Sequence, residues 1–243
     1  MLTITGLKKQ FRVQGSVLPI LDVPSWQVNQ GEQVALTGPS GSGKSTLLHL
    51  ISGIALPDEG CLEVNGVELG RLNESERDRF RASFIGYVLQ DFHLLPSLTA
   101  RQNIAIALNR KRLGLASGKS EKRFILEWLD RVGLADRADH LPGQLSRGQQ
   151  QRVAIVRALI NQPPIVLADE PTGSLDAETA ASLTSLLLEL AQAGGQTLLV
   201  VTHDTGLASL FPRRQDIREV NRIGRPISPR AAADYASREA TLA

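Results

Sequence analysis

Residues 38–45 read Gly-Pro-Ser-Gly-Ser-Gly-Lys-Ser, so Gly38, Gly43, Lys44 and Ser45 fall at the spacing Gly-x-x-x-x-Gly-Lys-Ser. That spacing suits the capture of a phosphate chain. Small residues let successive backbone N–H groups converge on phosphate oxygens. The next segment, Thr46-Leu-Leu-His-Leu-Ile-Ser52, is predicted to form a helix whose partial positive N-terminus points at the same anion. Lys44 is placed to reach the β- and γ-phosphates, and the Ser45 hydroxyl to take a Mg²⁺ position. Pro39, Ser40, Gly41, Ser42 and Thr46 complete the expected cradle.

A second constellation is Ile165-Val-Leu-Ala-Asp169-Glu170, an apolar strand ending in two carboxylates. Charges at the carboxyl end of a buried strand sit where open α/β sheets bind ligands. Asp169 is the candidate for holding Mg²⁺ and Glu170 the candidate for polarising an attacking water. On their own, two acids only cap a strand. Beside residues 38–45 they read as the metal and base side of one site.

These side chains need a scaffold. The chain has 243 residues, 42% hydrophobic and 21% charged, the mix of a soluble globular domain large enough for an inserted subdomain. No apolar run approaches a membrane span, and no basic region followed by an apolar one marks a secretory signal, which points to the cytoplasm. A net charge of +2 argues against nucleic acid as the main partner. The single cysteine, Cys61, excludes an internal disulfide and a multi-cysteine metal site, and reads as a buried small hydrophobe.

Along residues 1–37 the pattern predicts short strands at 2–5, 27–28 and 34–36. Asn65-Gly66 between apolar residues signals a hairpin. A helix is expected over 73–82 with Asn73 as its cap, then a strand over 84–89. From about 91 to 147 strand runs vanish. Ile125, Trp128, Leu129 and Val132 recur at helical spacing, with Ser120 as expected cap and Gly133 as stop. Helices over 148–161 and 177–193 alternate with strands 165–168 and 197–201, which implies a mainly parallel sheet covered on both faces. Residues 231–243 are weakly patterned. Arg213, Arg214, Arg218, Arg222, Arg225 and Arg230 read as a solvated face.

Leu145-Ser146-Arg147-Gly148-Gln149-Gln-Gln-Arg152 resembles the signature of ATP-binding-cassette (ABC) ATPases, usually Leu-Ser-Gly-Gly-Gln. With the two motifs above, the chain resembles the ATP-binding subunit of an ABC transporter over nearly all of residues 1–225. The resemblance implies an α/β P-loop NTPase fold of ABC type. That fold has a mainly parallel sheet core (1–90 and 148–230), an antiparallel β edge and an inserted α-helical subdomain (91–147). It implies ATP and Mg²⁺ as cofactors. A head-to-tail dimer is implied in which Ser146, Gly148 and Gln149 of one copy close on the nucleotide of the other.

By the same resemblance Phe11 stacks on adenine, Gln90 touches Mg²⁺ and water, Ser174-Leu175-Asp176 crosses the dimer interface, and His203 contacts the γ-phosphate. Phe11 also reads as a core residue and Gln90 as a polar strand end. His203 also reads as a capped strand-end histidine, and Asp176 as a helix cap. A membrane permease is the implied partner, docking at 91–147 and holding the chain at the inner face of the cell membrane. Residues 86–100 and 168–176 are similar to the lipoprotein-releasing, macrolide-export and antimicrobial-peptide-export subfamily. Amino-acid-import ATPases share most of the motifs; a soluble accessory ATPase fits the single cassette and the length, though residues 86–100 argue against it, and a cell-division ATPase that signals without transport is a further alternative. Some 124 residues separate Lys44 from Asp169, too few for the coiled coil of a DNA-repair ATPase.

Arg147 departs from the signature. If that position needs positive φ, arginine there costs about 1–2 kcal/mol of strain.

Overall fold

The computed structural model describes residues 1–13, 16–115, 118–173 and 175–223. The chain opens with a long antiparallel pair, β1 (Leu2–Val13) and β2 (Ser16–Val28). The sequence pattern shows only fragments of it. Leu2, Ile4, Leu7, Leu21, Val23, Trp26 and Val28 are buried on one face, but the period-two alternation breaks between Ile4 and Leu7, where β1 also shifts register against β4 between Thr5 and Lys8. Strand β3 (Gln33–Thr37) leads into helix α1 (Lys44–Ile51).

β4 (Glu59–Val64) pairs with β1 and turns through Asn65 (φ 51°) and Gly66 (φ 78°) into β5 (Val67–Glu68), the left-handed pair that a tight hairpin needs. Cys61 on β4 is half-buried, not fully buried as its run suggested. Burial, with Glu68 and Glu63 nearby, pushes its thiol up.

Helix α2 (Glu74–Phe84) starts at the expected Asn73, whose Oδ1 accepts from the Glu76 amide while Glu76 accepts from the Asn73 amide. Such a capping box is worth about 1 kcal/mol. Then come β6 (Ile85–Val88), α3 (Ala100–Ala105), α4 (Arg110–Leu113) and α5 (Lys119–Arg131). Ser120 is not the cap of α5. Gly118, at φ 89°, begins the helix two residues earlier, and Ser120 lies in the first turn.

The last third alternates: α6 (Arg147–Leu159), β7 (Ile165–Asp169), α7 (Ala177–Ala193), β8 (Thr197–Thr202), α8 (Thr205–Ala208), β9 (Arg213–Asp216) and α9 (Ile217–Val220). β9 was not expected. Arg-Arg-Gln-Asp carries no apolar signal, yet it closes the sheet as a charged edge strand parallel to β3. Arg213 there is bonded to Glu32 at 2.6 Å and to the Gln27 carbonyl, and Arg218 pairs with Asp216. Arg225, Arg230 and residues 231–243 lie outside the described residues.

The main sheet is parallel, in the order β6-β7-β8-β3-β9. Alternation along its strands builds two cores. Val166, Ala168, Leu198 and Val200 face α3, α5, α6 and α7. Ile165, Leu167, Leu199 and Val201 face α1 and the antiparallel sheet β2-β1-β4-β5. Each fully buried leucine here contributes about 2–3 kcal/mol. No described helix is long and apolar enough to cross a membrane.

Candidate functional site

The loop between β3 and α1 owes its shape to glycine. Gly43 caps α1 at φ 94°, and a Cβ there would stand 2.8 Å from Leu21 Cδ2 and 3.1 Å from the Ile20 carbonyl. An L side chain is excluded twice over, by backbone and by space. Lys44, only 6% exposed, folds over the loop and donates from Nζ to the Gly38 and Pro39 carbonyls at 2.8 and 2.9 Å. Ser42 Oγ donates to the Pro39 carbonyl at 2.7 Å.

A cleft of about 320 Å³ opens above this loop, lined by Ile20, Ser40, Gly41, Gly43, Lys44, Ser45, Thr46, Gln90 and Glu170. Two further candidates join it by one bond each. Ser45 Oγ donates to Asp169 Oδ1 at 3.0 Å, and His203 Nδ1 lies 2.9 Å from Glu170 Oε1. The parallel sheet causes this convergence. β3, β7 and β8 are neighbours, so the loop after β3, the acids ending β7 and the histidine after β8 share one edge.

Glu170 has φ 44°, an unusual left-handed backbone for a non-glycine residue, and its N–H donates to the Val201 carbonyl at 2.9 Å. Burial pushes the Asp169 carboxyl up. The Ser45 hydroxyl and the charges of His49 and Lys44 work against that shift, while the charge of Glu170 adds to it. Tyr87, behind Asp169, is also pushed up by burial and by the Asp169 charge.

The remaining candidates lie apart from the cleft. Phe11 is exposed on β1, opposite Leu18, with Lys9 Nζ 5.4 Å from its ring centre, so it is not a core residue. Ser146 caps α6. Its Oγ accepts from the Gln149 amide at 3.3 Å, and Gln149 Oε1 accepts from the Ser146 amide at 2.9 Å. A capping hydroxyl still has its own hydrogen to donate.

Asp176 caps α7, accepting from the Thr179 amide at 2.9 Å, and that bond holds its carboxyl below the usual range. Ser174 lies outside the described residues. Arg147 is the first residue of α6 and has no positive φ, so the expected backbone strain does not arise. Gly148 is the demanding position, because a Cβ there would meet Thr179 Cγ2 of α7 at 2.9 Å.

Several side chains that brace the site carried no signal in the sequence. Asn221, 2% exposed, donates to the Ile20 and Ser42 carbonyls and accepts from the Asp22 amide, 199 residues away in sequence, and so ties the phosphate loop to β2. Arg157 on α6 donates to the Phe92 and His93 carbonyls just after Gln90. Gln151, also on α6, is fully buried and donates to the Pro171 carbonyl.

A glycine-shaped anion loop with its lysine and serine, set at the carboxyl edge of a parallel sheet beside Asp169 and Glu170, defines a P-loop nucleoside triphosphatase. Comparison with known proteins narrows the class. Residues 21–173 match the ABC transporter family model. The chain belongs to that family and is an ATP-binding, ATP-hydrolysing cassette.

It is 41% identical over 214 residues to the uncharacterized ABC transporter ATP-binding protein MJ0796 of Methanocaldococcus jannaschii, covering 88% of this chain and 91% of that protein. It is 40% identical to the lipoprotein-releasing system ATP-binding protein LolD 1 of Rhodopirellula baltica, over 89% and 93% of the two chains. The macrolide export ATP-binding/permease protein MacB of the same organism matches all of this chain at 38% identity, and this chain spans 34% of it. Among solved structures, the dimeric post-hydrolysis state of the MJ0796 cassette bound to ADP and Pi superposes with a TM-score of 0.81 at 39% identity, over 89% and 94% of the chains.

Proposed function

We propose that this cassette powers a separate membrane permease of the lipoprotein-releasing or macrolide-export kind. It sits at the inner face of the membrane through that permease. The convergence of Lys44, Ser45, Gln90 and Glu170 on one cleft, with Asp169 and His203 each bonded into it, supports the ATPase part of this reading, and the 40% and 38% identity to LolD 1 and MacB supports the kind of permease.

In this reading residues 38–46 hold the triphosphate, and Lys44 leaves its carbonyl partners for the β/γ oxygens. Phe11 packs under the base. Glu170, oriented by His203, takes up the proton of the attacking water. Ser45, Asp169 and Gln90 offer oxygen donors, the set a Mg²⁺ accepts alongside phosphate. A Mg²⁺ held by these three residues would supply positive charge against that of the phosphates.

Two copies pair head to tail, so that Ser146, Gly148 and Gln149 of one and the loop around Asp176 close on the nucleotide of the other. A dimeric MJ0796 cassette supports this. ATP favours the closed pair, hydrolysis reopens it, and the cycle is a population shift.

Residues 1–90 and 148–230 act as the nucleotide core and 91–147 as the helical subdomain that meets the permease. A groove of about 640 Å³ between Ile85–Tyr87, residues 107–111 and α6 supports that placement. Tyr87 in this groove is three residues from Gln90, which gives a short route from permease to site.

The test is affinity capture of tagged Glu170→Gln from detergent-solubilised native membranes in Mg-ATP, with partners identified by mass. An integral membrane protein with a large domain outside the cytoplasm is the expected partner. Recovery of soluble proteins alone would replace transport with an accessory ATPase role.

A further inference from the structure

Gln151 is fully buried in α6, and its carboxamide is only half used. Nε2 donates to the Pro171 carbonyl, while Oε1 has no hydrogen-bond partner among the described residues, a state it shares with the Tyr87 hydroxyl alone. Buried amides are normally satisfied at both ends, so a half-satisfied one needs an explanation. Its position supplies one. Pro171 follows Glu170, the residue held in the left-handed region at φ 44°. The Glu170 N–H is fixed to the Val201 carbonyl at 2.9 Å, and the Glu170 carbonyl accepts from the Gly173 N–H at 3.2 Å. Pro171 has no N–H of its own, so its carbonyl is the only polar group by which the scaffold holds it.

We propose that Gln151 is a positioning residue for Glu170: its amide pins the Pro171 carbonyl and so fixes the turn that aims the Glu170 carboxylate into the cleft. The proposal rests on the reading of Glu170 as the residue that activates water.

The same bond has a consequence for the pair of sites. Gln151 stands five residues from Ser146 on one helix, about 7.5 Å along its axis at the usual rise. A shift of the Ser146 end, when it meets the partner copy's nucleotide, moves the Pro171 carbonyl through a single hydrogen bond. Arg157, farther along α6, holds the Phe92 and His93 carbonyls at 2.7 and 2.6 Å. One helix therefore carries both the Glu170 turn and the loop after Gln90, and links each site to its opposite number.

The experiment compares the full-length chain with Gln151→Met, which keeps length and removes the donor, and with Gln151→Glu, Glu170→Gln and the double variant Gln151→Met/Glu170→Gln. Steady-state ATP hydrolysis, ATP affinity and melting temperature are read for each. Gln151→Met is expected to lower kcat at least tenfold with KM for ATP unchanged within twofold. In the Glu170→Gln background it is expected to change the residual rate less than twofold, because it acts through Glu170. Gln151→Glu, whose carboxyl in this buried place stays neutral and keeps a hydrogen for Pro171, is expected to hold kcat within threefold.

An unchanged kcat in Gln151→Met, or an equal loss in both backgrounds, overturns the proposal. So does a loss of tenfold or more in kcat by Gln151→Glu with its melting temperature and ATP affinity unchanged, an outcome read on that variant alone where the methionine variant fails to fold. Wild-type turnover by Glu170→Gln itself would instead remove the reading of Glu170 on which the proposal stands.

Discussion

His203 Nδ1 and Glu170 Oε1 meet at 2.9 Å across the carboxyl ends of β8 and β7. A carboxylate oxygen accepts, so Nδ1 carries the hydrogen and the imidazole fixes the direction of the carboxylate. His203 is 63% exposed at its side chain and Glu170 15%, so the histidine forms the outer wall and the acid the inner one. Glu170→Gln keeps size and polarity and removes the carboxylate proposed as the base. It is expected to bind ATP with wild-type affinity, to stay dimeric in ATP, and to lose 10²–10³ in kcat, a typical share for general base catalysis. Phosphate release and size-exclusion chromatography in ATP check both halves.

Gly148, not the neighbouring position 147, is where the signature tolerates no side chain. A Cβ at 148 falls 2.9 Å from Thr179 Cγ2, a β-branched side chain with little freedom to retreat. Gly148→Ala is expected to cost about 1–3 kcal/mol through overpacking between α6 and α7. The double variant with Thr179→Ser, which removes the opposing methyl, should recover most of it. Arg147→Gly should alter turnover less than tenfold, since Arg147 already sits in helical backbone. Urea unfolding and ATPase rates separate these outcomes.

The parts of this architecture that sequence could reveal are those whose cause is local. The hairpin at Asn65-Gly66, the cap at Asn73 and the helix over 177–193 are set by nearby residues, and each is where it was expected. What escaped was non-local. β9 is a strand only because β3 offers it a ladder, and nothing in Arg-Arg-Gln-Asp announces that. Asn221 reaches the phosphate loop from the other end of the chain, and Gln151 is indistinguishable from Gln149 and Gln150 until α6 shows which of the three faces inward. The candidate site follows the same rule. Its motifs were legible because each is a short run, while the left-handed turn at Glu170 and its supports had no counterpart in the pattern.

Lys44 is buried and held by two carbonyls of its own loop, so its charge is fixed at the mouth of the cleft before any anion arrives. The bonds from its ammonium to the two carbonyls involve one charge, whereas bonds to phosphate oxygens pair two opposite charges and are stronger. Lys44→Ala is expected to weaken ATP binding at least a hundredfold, as read by equilibrium binding of a fluorescent ATP analogue. Unchanged affinity would remove the loop from nucleotide binding.

Asp169 sets function against stability. Burial raises its carboxyl, so the folded state prefers the neutral acid more than the unfolded chain does. The sign follows from linkage. A raised acid contributes its stability in full below the ordinary value of 3.8 and loses it as pH rises through the shifted one, so at neutral pH the ionised group is a net burden on the fold. Asp169→Asn is neutral at every pH and keeps an acceptor for the Ser45 hydroxyl. Its melting temperature is therefore expected to exceed that of the unaltered chain at pH 7.5, with the difference vanishing toward pH 4 and below. The same change removes the carboxylate proposed to hold the metal, and hydrolysis is expected to fall at least tenfold. Calorimetry across pH 4–8, beside ATPase assays, tests the pairing. A variant less stable at pH 7.5 would show that the interactions of the ionised carboxylate with Ser45, His49 and Lys44 together outweigh desolvation at this strand end, and would reverse the order of the two effects argued for Asp169.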